Sequence, residues 1–290
     1  MANQQTDIPA TTVNSGSGFV EVLKGTLGAS GIDGIDINPF VSTNSILQAW
    51  LDGLTGAQPS AGLKTDLNTF LNGLANNNIL TEHDILIIMA GMETTEQALK
   101  PFITTGVSPA VNNSCSFSSA GFLGNGSSQY LDYNWNPSTN GVKYTRDDAS
   151  IYFFNDQTAV GGGFSMGAWN GGVNAVLFEP RFAGVSAGSI NAALYSFTPS
   201  NPTTSVGLYT MRRTGSTASA SYKDAALTAT SSDASTAVVN LKIFGNAINS
   251  SGSAGFYNAD LQGLFGAGSS LITAAIVSPL WYAYKTSRGF

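Results

Sequence analysis

Residues 161–167 read GGGFSMG, and Gly163-Phe164-Ser165-Met166-Gly167 fits the pattern G-x-S-x-G. That spacing can build a sharp strand-to-helix turn that lifts a serine hydroxyl out as a nucleophile. The chemistry also needs a base for the serine proton, usually a histidine oriented by a carboxylate. The chain has one histidine, His83, and it precedes Ser165. Where this turn is used, the histidine follows both the serine and the acid. The order is wrong, and glycine and serine are frequent enough here for a chance match. Ser165 therefore reads as a strand end entering a glycine-rich turn, and no catalytic residue is assigned.

Other reactive side chains are sparse. Cys115 is the only cysteine, which excludes an intrachain disulfide and a thiolate metal site. It reads as a small, partly buried residue near a strand start. His83 stands between Glu82 and Asp84 with no further ligands at metal spacing, and reads as a surface or capping histidine. Asp147 and Asp148 are adjacent, so in a strand they would point to opposite faces. Glu179 stands alone before Pro180-Arg181.

The elements that position these residues follow from composition and period. Charged residues make up 10% of the chain, against about 25% in ordinary globular domains. With 42% hydrophobic residues it is too apolar for a disordered chain. This balance suits strands and tight turns, or a surface covered by neighbours. The charge is uneven: residues 1–108 carry a net −7 and residues 109–290 a net +1. Neither part holds a basic stripe, which argues against nucleic acid as a partner. Met1–Gly18 is polar and lacks the basic start and apolar stretch of a secretory leader. It reads as a flexible arm. Leu264–Tyr284 is free of charge and is the candidate membrane span, but small residues and Pro279 fit a strand and a short helix better than a transmembrane segment.

Residues 19–108 read as a helical region for anchoring or oligomerisation. Phe19–Leu27, Ile46–Leu54 and Leu63–Leu74 have helical spacing, the last stopped by Asn76-Asn77-Asn78. Thr81 is expected to cap a helix running through the all-apolar Ile85–Met92. Thr94 with Gln97 fits a capping box for a short helix before Pro101. After Pro109 the period changes to two. Gln129–Tyr133, Ser150–Asn155, Ala175–Phe178, Gly207–Arg212, Ala218–Lys223 and Asn240–Phe244 read as short strands. Ser278 and Pro279 are expected to open a closing helix. The fold class is thus α+β: an N-terminal helical region, then an antiparallel β-sandwich over 109–290, closed by a C-terminal helix.

Residues 117–155, FSSAGFLGNGSSQYLDYNWNPSTNGVKYTRDDASIYFFN, resemble the opening of a laminin-G-like, concanavalin-A-like jelly-roll module of bacteriophage virion proteins such as tail fibres and spikes. The features that carry the likeness are the Gly124–Ser128 turn, Tyr130-Leu131-Asp132, Asn136–Thr139, Tyr144-Thr145 and Ala149–Phe154. GLYTMRRTGSTASASYKDAAL (207–227) is similar to the family's strand, Arg-Thr turn, strand and short hairpin. ADLQGLFGAGSSLIT (259–273) is similar to its last inner strand, and residues 63–102 resemble the segment before such modules. Pro279 in the closing helix and Ala225 in place of a frequent hairpin glycine depart from the pattern.

The resemblance implies a non-enzymatic virion surface protein. It would use a lectin-like jelly roll to engage a host-surface glycan or protein, with other virion proteins as neighbours. A purely architectural capsid or decoration subunit stays open beside it, as does a glycan hydrolase. Glucanase relatives of the family carry Glu-x-Asp-x-Glu on one strand, and no such strand occurs here. Tyr133, Trp135, Tyr144 and Trp169, aromatic residues beside polar turns, are the expected sugar-stacking residues. The likeness also implies calcium as a possible cofactor at the rim, through Asp147, Asp148 and Asp156. The scarcity of charge leads to an expected homo-oligomer, a trimer first, with a covered surface.

Overall fold

The computed structural model describes residues 43–157, 163–171, 173–182, 185–197 and 204–290. The expected arm Met1–Gly18 and helix Phe19–Leu27 lie outside the described residues. Asn44–Phe290 form one compact unit.

Helix α1 (Ser45–Asp52) opens where the Asn44 side chain accepts the Ile46 N–H. Helix α2 (Ala61–Asn76) opens on Ser60 and buries Leu63, Leu67, Phe70, Leu71 and Leu74 on one face. Its chain turns away at Asn78, whose φ of 58° is left-handed. Strands β1 (His83–Ile88) and β2 (Ile103–Thr104) flank helix α3 (Thr95–Leu99). The Gln97 N–H donates to Thr94 Oγ1 at 3.2 Å, half of the expected capping box. Strands β3 (Val111–Asn113), β4 (Ser116–Ser118), β5 (Gly121–Leu123) and β6 (Tyr130–Asp132) precede the single-turn helix α4 (Pro137–Asn140). Then come β7 (Ala149–Asn155), β8 (Met166–Asn170), β9 (Asn174–Phe182), β10 (Val185–Ala192), β11 (Gly207–Gly215), β12 (Ala218–Lys223) and β13 (Ala226–Ser231). Strands β14 (Phe244–Gly245), β15 (Ile248–Ser250), β16 (Ser253–Gly255) and β17 (Leu261–Gly268) lead into helix α5 (Ala274–Arg288).

The strands form two sheets. One runs β13-β12-β11-β7-β17-β1-β2, joined by β5 and β4 through β17. The other runs β10-β9-β8-β14-β6-β3, with β15 and β16 beside β8. Among the described residues the pairings are antiparallel except the short β8–β15 contact. The molecule is the expected α+β fold with a β-sandwich and a C-terminal helix.

Aromatic side chains fill the space between the sheets. Tyr133 stacks on Phe265 with ring centroids 3.9 Å apart, and Trp135 meets Tyr144 edge-on at 5.4 Å. Phe153 lies 5.6 Å from Phe178 of the facing sheet and 5.4 Å from Tyr209. Alternation along β7 sends its other residues to the far side, where Phe154 packs on Trp281 of α5. Trp281 in turn meets Phe70 of α2. The first sheet is therefore buried on both faces where helices cover it.

Three local expectations are corrected. Ile85–Met92 is not a helix: a 3-10 turn at Leu80–Glu82 leads into strand β1, which pairs with β17 and β2. An all-apolar run of six to eight residues fits a two-face-buried strand as well as a buried helix, and period alone cannot separate them. The β-branched isoleucines at 85, 87 and 88 favour the strand. The closing helix starts earlier than expected, after Thr273, and Pro279 lies inside it. It stops at Gly289, whose left-handed φ of 75° lets its N–H reach back to the Lys285 carbonyl. The strand expected at 240–244 shrinks to Phe244–Gly245.

Asp84 ties β1 to the loop that leads into β7. Its buried carboxylate accepts the backbone N–H groups of Val142, Lys143 and Tyr144, the last at 2.7 Å. Such charge-assisted bonds are the stronger kind, and their loss leaves the buried Tyr144 N–H without a partner. Asp84→Ala is expected to lower unfolding free energy by roughly 2–3 kcal/mol, read by chemical denaturation. A loss below about 1 kcal/mol, the level of an ordinary surface change, would contradict this role.

Candidate functional site

Three of the four expected stacking aromatics belong to the core. Tyr133 and Trp135 are fully buried and Tyr144 nearly so, each packed between the sheets. Ring faces used against Phe265 and against one another are not open to a sugar. Their nearness to polar turns in sequence reflects strand ends, which carry core residues too. Trp169, at the end of β8, is half-buried and packs on the small cluster of Phe164, Ala175, Leu177 and Ile248.

The three aspartates do not converge on one point. Arg146 donates to Asp147 at 3.0 Å, Asp148 accepts the Ser270 N–H at 2.6 Å, and Asp156 pairs with Lys285 of α5. Among the described residues no group of three His, Cys, Asp or Glu side chains is placed to hold a metal ion.

Ser165 begins the run into β8 and is fully buried. Its hydroxyl meets the carboxylate of Asp260, which also accepts Asn155 Nδ2 and Asn258 Nδ2, each at 2.9 Å. Burial pushes the Asp260 carboxyl up to about 7, against the pull of the Ser165 and Asn155 hydrogen bonds. Glu179, 2% exposed, is also pushed up to about 7, first by burial and then by the neighbouring Asp260 charge. His83 is committed elsewhere. Its Nε2 meets Tyr152 Oη at 2.7 Å and its Nδ1 the Ile79 carbonyl at 2.8 Å. It is buried, not on the surface as the sequence suggested, and burial lowers its pKa to about 4. Ser165 and Asp260 thus form a serine–acid contact inside the wall of the sandwich, and the histidine is spent on a different hydrogen-bond pair. Above this cluster, Phe164 lies between Tyr195 and the exposed Phe256. Tyr195 and Phe256 have left-handed φ values of 59° and 52°, a backbone state that costs a bulky residue energy.

A different place offers an open surface. The helices cover the outer face of the first sheet over β1, β17 and β7, and α5 reaches the start of β11. Beyond it the outer face of β11–β12–β13 holds a depression of about 430 Å³. Register explains its lining. One row across the sheet is Ser150, Arg212, Ala220 and Thr230, and the next is Tyr152, Thr210, Tyr222 and Leu227. Ala218 and Ala220 leave the floor low, while Arg212, Tyr222, Thr214, Thr230 and Ser232 stand around it. Arg212 is held in place by a hydrogen bond from its Nε to the Ser270 carbonyl, in the turn before α5. Its neighbour Arg213 points the other way, is fully buried and donates to the Ile190 carbonyl of β10 at 2.9 Å. Sequence reading passed over Arg212 and Tyr222. The signal lay in period two along GLYTMRRTG, which places one arginine of the pair outside and one inside.

No protein-family model matches the chain. A search of curated proteins found no match. Among solved structures, the chain is similar to a mutant of Trypanosoma rangeli sialidase displaying trans-sialidase activity, at 10% identity and a TM-score of 0.52. The match covers 79% of this chain and 39% of that one, so the chain spans about two fifths of the sialidase. The botulinum neurotoxin serotype D binding domain matches at 7% identity and a TM-score of 0.45, over 69% of this chain and 52% of that one. Domain 4 of AbnA, a GH43 arabinanase from Geobacillus stearothermophilus, in complex with arabinotriose, matches at 11% identity and a TM-score of 0.39. That match covers 69% of this chain and 98% of that domain. At such identities the likeness to the sialidase is one of fold.

The buried acids and the histidine set opposite pH slopes. Asp260 and Glu179 favour the fold when protonated, so their contribution is complete below the ordinary carboxylate range and is lost as pH rises through about 7. His83 favours the fold when neutral, so its contribution is complete above 6.5 and is lost as pH falls toward 4. Asp260→Asn cannot ionise. It should therefore gain stability at pH 8 relative to pH 5 when compared with the native chain, read as unfolding free energy at the two pH values. Parallel pH profiles for the two chains would contradict an elevated Asp260.

Proposed function

We propose that the chain is a non-enzymatic binding module whose β-sandwich engages a glycan. The depression on β11–β12–β13 is the contact surface. One observation carries the reading: the part of the sheet left uncovered by helices has a low alanine floor within a rim of hydroxyls, one aromatic ring and one guanidinium. Sugar recognition uses this chemistry, with hydroxyls and planar donors for sugar hydroxyls and a ring for the apolar face of the sugar. The two buried carboxyls, Glu179 and Asp260, are closed to a polysaccharide. A retaining hydrolase needs its two carboxyls about 5 Å apart and flanking the bond to be cleaved.

The finer reading places the module on a bacteriophage particle, displayed toward a host-surface glycan with other virion proteins as neighbours. Its support is the sequence resemblance over 117–155, 207–227 and 259–273. The resemblance includes β11 and β12, the strands that form the depression. The few charges in 290 residues support a covered surface in a homo-oligomer, with a trimer first. Light scattering of the purified chain should report about three times its 30.0 kDa mass. A monomer at micromolar concentration would overturn this part.

Ala220→Trp fills the floor and Tyr222→Ala removes the rim ring. Each should weaken binding to a glycan array by about tenfold or more, roughly the value of one good contact, with little change in thermal midpoint. Native-like binding by both variants would exclude the depression. Loss of binding on Phe256→Ala alone would move the contact to the Phe164 end.

A further inference from the structure

Arg212 differs from the other arginines whose side chains are described. Arg146 pairs with Asp147 at 3.0 Å, and Arg288 pairs with Asp66 at 3.3 Å. Arg213 is buried and donates to the carbonyls of Ile190, Gly215, Ser216 and Asp233. Arg212 makes one hydrogen bond, from Nε to the Ser270 carbonyl, and no ion pair among the described residues. Its two terminal nitrogens make no hydrogen bond to the described residues. That bond ties the guanidinium to the turn before α5. Ser270 is itself held through its N–H by Asp148.

Arg212 is also the only charged side chain lining the depression. The acids nearest in sequence to its lining, Asp224 and Asp233, contribute nothing to that lining. The remaining wall is made of hydroxyls, methyls and the Tyr222 ring. A fixed guanidinium with both terminal N–H groups open matches a carboxylate, whose two oxygens accept a parallel pair of hydrogen bonds. The hydroxyls of Thr214, Thr230 and Ser232 around it suit a polyhydroxylated body attached to that carboxylate.

We infer that the depression reads an acidic sugar: the carboxylate of a uronic or other carboxylated monosaccharide sits end-on against Arg212, and its ring lies toward Tyr222. This inference rests on the reading of the depression as a glycan contact and adds the class of ligand. Arg212 is the specificity-determining residue, because a neutral sugar would leave its guanidinium without a partner and a lysine would offer no matching fork.

The test uses the full chain and a panel of polysaccharides containing uronic or nonulosonic acids. Each is presented native and with its carboxyl groups reduced to primary alcohols. Native acidic glycans should bind, and their reduced counterparts should bind at least tenfold more weakly. Arg212→Ala should lose this difference, Arg212→Lys should retain a small part of it, and both should keep the native thermal midpoint. Affinity should fall as salt is raised, since the pair is open to solvent. Equal binding of native and reduced forms, abolished by Tyr222→Ala, would overturn the acidic class and leave the depression standing. Binding that neither Arg212→Ala nor Tyr222→Ala changes would overturn both, and so would absence of binding across the whole panel.

Discussion

The first sheet is buried twice in one region and once in another, and the rest of the molecule follows from that. Over β7, β17 and β1 its inner face meets the second sheet and its outer face meets α2 and α5. Strand β1 reads as a continuous apolar run because neither face is wet. Along β12 and β13 only the inner side is covered. There the outward residues are alanine, threonine, tyrosine and the exposed Leu227, and a surface remains free for a ligand. The helices do not merely precede the sandwich. They form a third layer whose edge decides where the open surface begins.

The chain's low charge is matched by the way it satisfies buried polar groups. Asp84 is held by three amides, Arg213 by four carbonyls, and Asp260 by a hydroxyl and two carboxamides. None of these arrangements uses a close ion pair. Buried ionisable groups served by neutral dipoles need well-fixed backbone, and each of the three joins segments distant in sequence. The same economy makes Arg212 stand out: it is anchored like its neighbours, yet its outer nitrogens are left open.

Much of the sandwich was legible in the sequence, because period two and turn residues are local signals. The strands around Ser150–Asn155, Gly207–Arg212 and Ala218–Lys223 lie where alternation puts them. Strand β1 was not legible, since an apolar run without polar alternation fits two structures, and its partner β17 is far off in sequence. The candidate site was hidden for a related reason. Tyr133, Trp135 and Tyr144 sit among polar residues in sequence but point between the sheets, whereas Tyr222, in the expected strand Ala218–Lys223, points out. Which face of a strand is covered depends on helices elsewhere in the chain. The Ser165 motif had a chemical partner after all, Asp260, but 95 residues away and without a base.

The central claim is that the uncovered outer face of β11–β13 is the surface that meets a glycan. Hydrogen exchange with and without a bound acidic oligosaccharide tests it without any substitution. The account predicts slower exchange confined to residues 212–232 and the adjoining Ser270 turn. Slowing centred on Phe256 and Tyr195, with 212–232 unchanged, would contradict it.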